Sequence, residues 1–86
     1  MRYSTSKKFD KQFSKLSKNI KEKAIARLEL FIQDPFEAVL NNHPLNGRFS
    51  GYRSINITAD IRAVYKTAGK DLVYFIAIGS HSELFK

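Results

Sequence analysis

Seven consecutive residues late in the chain, Leu72-Val73-Tyr74-Phe75-Ile76-Ala77-Ile78, are apolar. A strand with one wet face alternates between apolar and polar residues. An unbroken run therefore reads as a central strand buried under helices on at least one side. It is much too short to span a bilayer, and the N-terminus lacks the apolar stretch of a signal peptide. With 86 residues the chain is predicted to form one domain, residues 1–86, around a single core. Cysteine is absent, which excludes disulfides, Cys-based zinc sites and thiol catalysis. The expectation is a soluble, cytoplasmic protein with no metal, no cofactor and no membrane partner.

The rest of the sequence supplies layers around that strand. Arg2-Tyr3-Ser4 is a candidate edge strand, and the Ser/Thr residues after it can cap a helix that begins near Ser6 or Lys7. Over Lys7 to Ser17 the apolar residues Phe9, Phe13 and Leu16 recur at helical spacing, while Lys7, Lys11 and Lys15 line a different face. Asn19 and Glu22 have the spacing of a capping box and predict a second helix with Ile20, Ala24, Leu28, Phe31 and Ile32 on its core face. Pro35 ends that helix by Asp34, so residues 17–19 become the turn of an antiparallel helical hairpin. Phe36 to Leu40 adds a short helical turn, and the turn residues from Asn41 to Gly51 mark a loop region. Tyr52 to Thr58 and Ile61 to Lys66 then alternate as half-exposed strands, joined by a hairpin at Thr58-Ala59-Asp60. The order β, α, α, then three or four strands predicts an α+β fold, with the helical hairpin on one face of an antiparallel sheet. Ser54, Asn56, Asp60 and Arg62 are expected on the other, partly open face.

Charge is unevenly placed. Residues 1–27 hold nine Lys/Arg against Asp10 and Glu22, whereas residues 28–86 hold six basic and six acidic residues, so the net charge of +7 resides in the first third. A basic block suits a polyanion or an acidic protein partner. A solvated helix face accounts for it equally well.

No phosphate-binding loop, dinucleotide fingerprint, zinc-protease motif or nucleophile elbow is present. What remains is acid, base and cation, and RNA offers a reaction that needs little else. A base takes the 2′-hydroxyl proton, an acid protonates the departing 5′-oxygen, and cations balance charge on the phosphorane. His43 and His81, the two histidines, suit proton transfer, although either also fits a solvated surface position. Arg53 and Arg62 suit phosphate or surface ion pairs. Asp60 fits a turn cap or a general base. Tyr52 and Phe85 fit base stacking, whereas Tyr65, Tyr74 and Phe75 read as core.

Three stretches carry a resemblance. They are His43-x-Leu45-x-Gly47-x-Phe49-x-Gly51-Tyr52-Arg53, Asp60 five residues before Tyr65-Lys66, and Gly79-Ser80-His81 with Leu84-Phe85. Together they resemble the RelE/ParE superfamily of bacterial toxin-antitoxin toxins, specifically the YafQ-like mRNA interferases. The resemblance implies an α+β fold with a helical hairpin, ribosome-dependent cleavage of mRNA without metal, and restraint by an antitoxin partner. By position it implies activity roles for His43, Asp60, His81 and Phe85, with His81 the principal proton-transfer residue and Phe85 orienting or stacking the RNA. Arg53 and Arg62 then become phosphate clamps on the open face. Arg48, Asn56 and Lys86 join them as RNA contacts, and Lys7, Lys11 and Lys15 face the ribosome. The sequence departs from the group at Asn56, where a histidine is common, and at Ile61, where tryptophan is common. Two rivals share the fold: a ParE-like inhibitor that acts on gyrase rather than RNA, and an inactive RNA-binding module.

Overall fold

The computed structural model describes residues 1–86. Strand β1 (Arg2–Thr5) is followed by helices α1 (Lys7–Ser14) and α2 (Lys18–Gln33). Two short strands come next, β2 (His43–Pro44) and β3 (Arg53–Asn56), then β4 (Ile61–Gly69) and β5 (Leu72–Ser80). A single helical turn, α3 (His81–Leu84), closes the order, and 3-10 turns at Ala38–Leu40 and Gly47–Phe49 flank β2. The five strands lie in the order β1-β5-β4-β3-β2. Pairing is antiparallel from β2 through β5, as expected, and β1 adds a parallel edge with Arg2 opposite Leu72.

The apolar run of β5 is an inner strand because both of its faces are covered. On one side the helical hairpin buries Phe9, Ala24, Leu28 and Phe31 against Ile55, Ala63, Tyr65, Val73, Phe75 and Ile78. Phe75 is the hub, with the rings of Phe31, Tyr65 and Phe9 at 5.4, 5.3 and 6.0 Å. On the other side Val64, Ala77 and Leu84 form a smaller cluster. The strand serves both clusters because Val64 pairs with Ala77 but Tyr65 pairs with Phe75, leaving Ile76 as an extra bulged residue. A bulge switches the side-chain alternation. Phe75 and Ile78 therefore share the helical face although they lie three apart.

The helices differ from expectation in their starts and stops. Ser6 caps α1 as predicted, accepting from Phe9 N at 2.9 Å. The second helix is capped by Ser17, whose Oγ accepts from Ile20 N, and not by Asn19, which lies inside the helix. Ser17 wins because its backbone is extended (φ −64, ψ 160), which is what a cap requires. α1 ends at Ser14 with Lys15 as its C-cap, earlier than predicted. The loop region is also more ordered than expected, since β2 pairs His43 with Ser54 and Pro44 with Arg53. Ser54, expected on an open face, is 0 % exposed, because the segment 45–52 folds over it.

Replacing Ser17 by alanine is expected to lower stability by about 1 kcal/mol, the usual value of an N-cap hydroxyl, while Asn19→Ala leaves it within roughly half of that. Denaturant unfolding of the two variants checks the assignment.

Candidate functional site

The face opposite the helical hairpin is built by three segments: the ends of β3, β4 and β5, the turn at residues 57–60, and the short helix α3. Register aligns Asn56 with Arg62 and Arg62 with Gly79, so these three stand in one row across the sheet. His81 follows at the exit of β5 and its backbone N–H donates to the Asp60 carbonyl at 2.9 Å. That bond clips the start of α3 to the turn. The Arg62 guanidinium also reaches the turn, donating to the carbonyls of Thr58, at 3.1 Å, and Ala59.

Helix α3 exists because of a capping box that the sequence spells as Ser80-x-x-Glu83. Ser80 Oγ accepts from Glu83 N at 3.2 Å, and Glu83 Oε1 accepts from Ser80 N at 2.9 Å. The Ser80-x-x-Glu83 spacing is the sequence signal from which this helix could have been predicted. Gly79 packs directly under this turn: a Cβ there would meet Glu83 Oε1 at 3.4 Å and Leu84 Cδ2 at 3.5 Å, which is ordinary van der Waals contact. Helical spacing then brings the rings together: those of His81 and Phe85 lie 5.1 Å apart, tilted by 55°. Phe49, from the folded-over loop, meets Phe85 edge-on at 5.7 Å and Tyr52 at 6.3 Å. Arg48 lies over the Phe49 ring at 5.3 Å, and Lys66 lies over Tyr52 at 5.7 Å. The result is a corner where an imidazole, aromatic rings and cations share one surface.

The structure thus brings together Asn56, Asp60, Arg62, His81 and Phe85, with Arg48 beside them. Two other expected residues, Arg53 and His43, lie elsewhere, and Asn56 differs in setting. Arg53 is opposite Tyr65 in the ladder and occupies the helical face. Its Nε donates to Asn42 Oδ1 at 2.8 Å, and its guanidinium covers Phe36. Its expected position on the open face is therefore corrected. His43 lies on β2, three strands from β5. Asn56 is partly covered, and its Oδ1 is buried without a hydrogen-bond partner, as is Ser54 Oγ. Lys7 and Lys11 are exposed on α1, and Lys86 is exposed beyond Phe85. Lys15 is exposed too, and it lines a cleft of about 280 Å³ with Gln12, Leu16, Ile78, Gly79 and Glu83. No group of three or more His, Asp or Glu side chains converges on a point that could hold a metal ion.

Glu83 has its pKa lowered, first by the hydrogen bond from the Ser80 backbone and then by that from the Ser80 hydroxyl. Chemically, the corner offers a proton carrier (His81), an acceptor (Asp60), a fork of donors (Arg62) and stacking surfaces. Those are the groups that phosphodiester cleavage within RNA needs.

The α+β layering is shared with small bacterial toxins of known structure. The family profile described as "Bacterial toxin of type II toxin-antitoxin system, YafQ" matches residues 1–86. The chain belongs to this YafQ family of type II toxin-antitoxin toxins. A curated relative, the mRNA interferase toxin YafQ of Escherichia coli K12, is 39% identical over 51 residues, covering 59% of this chain and 54% of the relative. The match therefore spans about half the length of that relative. Among solved structures, YafQ from E. coli BL21(DE3) superposes with a TM-score of 0.82 at 30% identity, covering 98% of this chain and 97% of that one. YafQ in the E. coli DinJ-YafQ toxin-antitoxin complex gives 0.78 at 28% identity over 98% and 96%. The YoeB/ParE toxin of Agrobacterium tumefaciens, at 24% identity with a TM-score of 0.78 over 94% and 99%, shares the fold.

Because the Glu83 carboxylate is held below its ordinary range, the cap of α3 is intact above that range and is lost as pH falls through the lowered value. The protection factor of the Ser80 amide, corrected for the intrinsic pH dependence of exchange, is expected to hold from neutral pH down to the carboxylate range and to fall only below it. A Glu83→Ala variant is expected to show fast exchange throughout.

Proposed function

We propose that this protein is a ribosome-dependent endoribonuclease that cleaves mRNA and arrests growth until its cognate antitoxin binds it. The observation that carries the reading is the His81–Phe85 pair mounted beside Arg62 and Asp60 on one corner of a YafQ-family fold. The reaction is attack of a ribose 2′-oxygen on its own phosphodiester, which forms a 2′,3′-cyclic phosphate as the P–O5′ bond breaks and the 5′-oxygen leaves protonated. His81 transfers a proton at the reacting centre, Phe85 stacks against a base, and Arg62 with Arg48 and Lys86 holds phosphate oxygens. Asp60 accepts a hydrogen bond or proton from the ribose. Asn56 does not titrate and contributes a hydrogen bond to a hydroxyl or phosphate. The chain itself supplies every acid, base and cation this scheme uses, and the work is done in the cytoplasm. The exposed stripe of Lys7, Lys11 and Lys15 on α1 contacts ribosomal RNA by charge. The relative named an mRNA interferase and the DinJ-YafQ complex support the activity and the antitoxin partner.

His81→Ala is expected to reduce mRNA cleavage by about 10²–10⁴-fold, the range for loss of a general acid or base. Its unfolding midpoint and antitoxin binding are expected to match the parent, since His81 is exposed. Primer extension on transcripts after induction, with and without a translation block, reads the activity. Cuts that vanish when translation is blocked support the reading. Growth arrest without any cuts would assign the protein to non-nuclease inhibition, and neither cuts nor arrest to an inactive binding module.

Lys11→Glu combined with Lys15→Glu is expected to weaken ribosome association and to flatten its salt dependence. Sedimentation with ribosomes across a salt series checks it, and unchanged association would assign the stripe to solvent or to the antitoxin.

A further inference from the structure

His43 stands three strands from β5, about 14 Å at ordinary strand spacing, yet it is held more tightly than a solvated histidine needs to be. Its Nδ1 lies 2.8 Å from the Asn41 carbonyl oxygen. A carbonyl only accepts, so Nδ1 carries the proton, and in the neutral ring Nε2 is left with the lone pair.

The carbonyl is presented by an uncommon backbone. Asn41 has φ 45 and ψ 49, the one non-glycine residue with positive φ in the chain. Asparagine tolerates that region better than most residues, but it still persists only where the surroundings enforce it. The enforcement comes from the next residue. The Asn42 amide donates to Pro35 O at 2.9 Å and to Tyr65 Oη at 2.8 Å, and its Oδ1 accepts from Arg53 Nε at 2.8 Å. Tyr65 is 4 % exposed and packs on Phe31 and Phe75, so the mount is anchored in the main core. Register places His43 opposite Ser54, and Ser54 opposite Val64, on the face that carries the His81 corner.

We infer that Asn41 is a positioning residue: its left-handed backbone fixes His43 as the Nδ1–H tautomer and leaves Nε2 as an acceptor for a ribose hydroxyl of bound RNA. Arg53, Asn42 and Tyr65 hold that backbone in place. The identity of the hydroxyl rests on the RNA-cleaving reading above, while the tautomer does not. Free histidine in water favours the opposite, Nε2–H form, so the lock has a visible signature.

Long-range proton–nitrogen NMR of the full chain, above the imidazole titration, is expected to show His43 as Nδ1–H and the exposed His81 as the mixture seen in free histidine. Asn41→Gly, which keeps a left-handed backbone without strain, is expected to retain the lock. Asn41→Val, whose branched side chain resists that region, is expected to release it and to lower kcat for ribosome-bound mRNA about tenfold relative to Asn41→Gly with KM unchanged, less than the roughly 10²–10⁴-fold of losing a general acid or base outright because a tautomer mixture still holds some of the Nδ1–H form. A free-histidine mixture at His43 in the wild type overturns the proposal, whatever the activity. A lock that is present in a protein that cleaves no mRNA sinks the RNA reading and leaves the tautomer assignment standing. Should Asn41→Val not fold, the wild-type and Asn41→Gly spectra decide alone.

Discussion

One hydroxyl joins the two halves of this fold. Ser6 Oγ accepts from Phe9 N to start α1 and donates to the carbonyl of Ile76 at 3.0 Å, while Ser6 N donates to Phe75 O. Ile76 is the bulged residue that lacks a partner on β4, and a bulge leaves backbone groups that must find one elsewhere. The cap of the first helix is that partner. Farther along, where β1 has ended, Gln12 of α1 accepts from Ile78 N at 2.9 Å. A helix therefore finishes the edge of β5 that a strand began. The switch in alternation at Ile76 is what sends Phe75 and Ile78 to the large core and Ala77 to the small one, and the site is assembled on the small one.

That second core is thin. Val64, Ala77 and Leu84 are its buried members, and α3 is one turn long. Order in the corner comes from contacts converging on few residues: the Asp60–His81 backbone bond, the Ser80–Glu83 box and the edge contact of Phe49 on Phe85. The loop at 45–52 is thus part of the site's support. Its glycines have a physical role at two points, Gly47 (φ +64) and Gly51 (φ +91), where the chain turns through conformations that side chains rarely adopt.

The element order, the helical hairpin and the buried strand were legible in the sequence because each rests on a periodicity that extends over several residues. Features set by a single residue in three dimensions were not. Asn19–Glu22 and Ser17 are competing caps, and only the extended backbone at Ser17 decides between them. Alternation in Tyr52–Thr58 assigned Ser54 to the correct face, but that face is covered by a loop whose fold depends on contacts with Leu84 and Phe85. The resemblance implies a phosphate clamp at Arg53 on the open face, whereas its parity with Ile55 puts it on the helical side, where Asn42 takes it up. His81 and Phe85 were legible as a pair through the resemblance, and helical spacing in α3 gives the physical reason they meet.

The Ser6–Ile76 bond spans 70 residues, and that separation sets an order of events. The β3–β4–β5 meander closes over short turns, whereas β1 and α1 must wait for the last strand to be made before they have anything to pair with. During synthesis the basic N-terminal third leaves the ribosome first and stays unpartnered longest. The corner residues Arg62 and His81 gain their geometry only when β5 has paired with β4, so the corner is among the last parts of the fold to take shape.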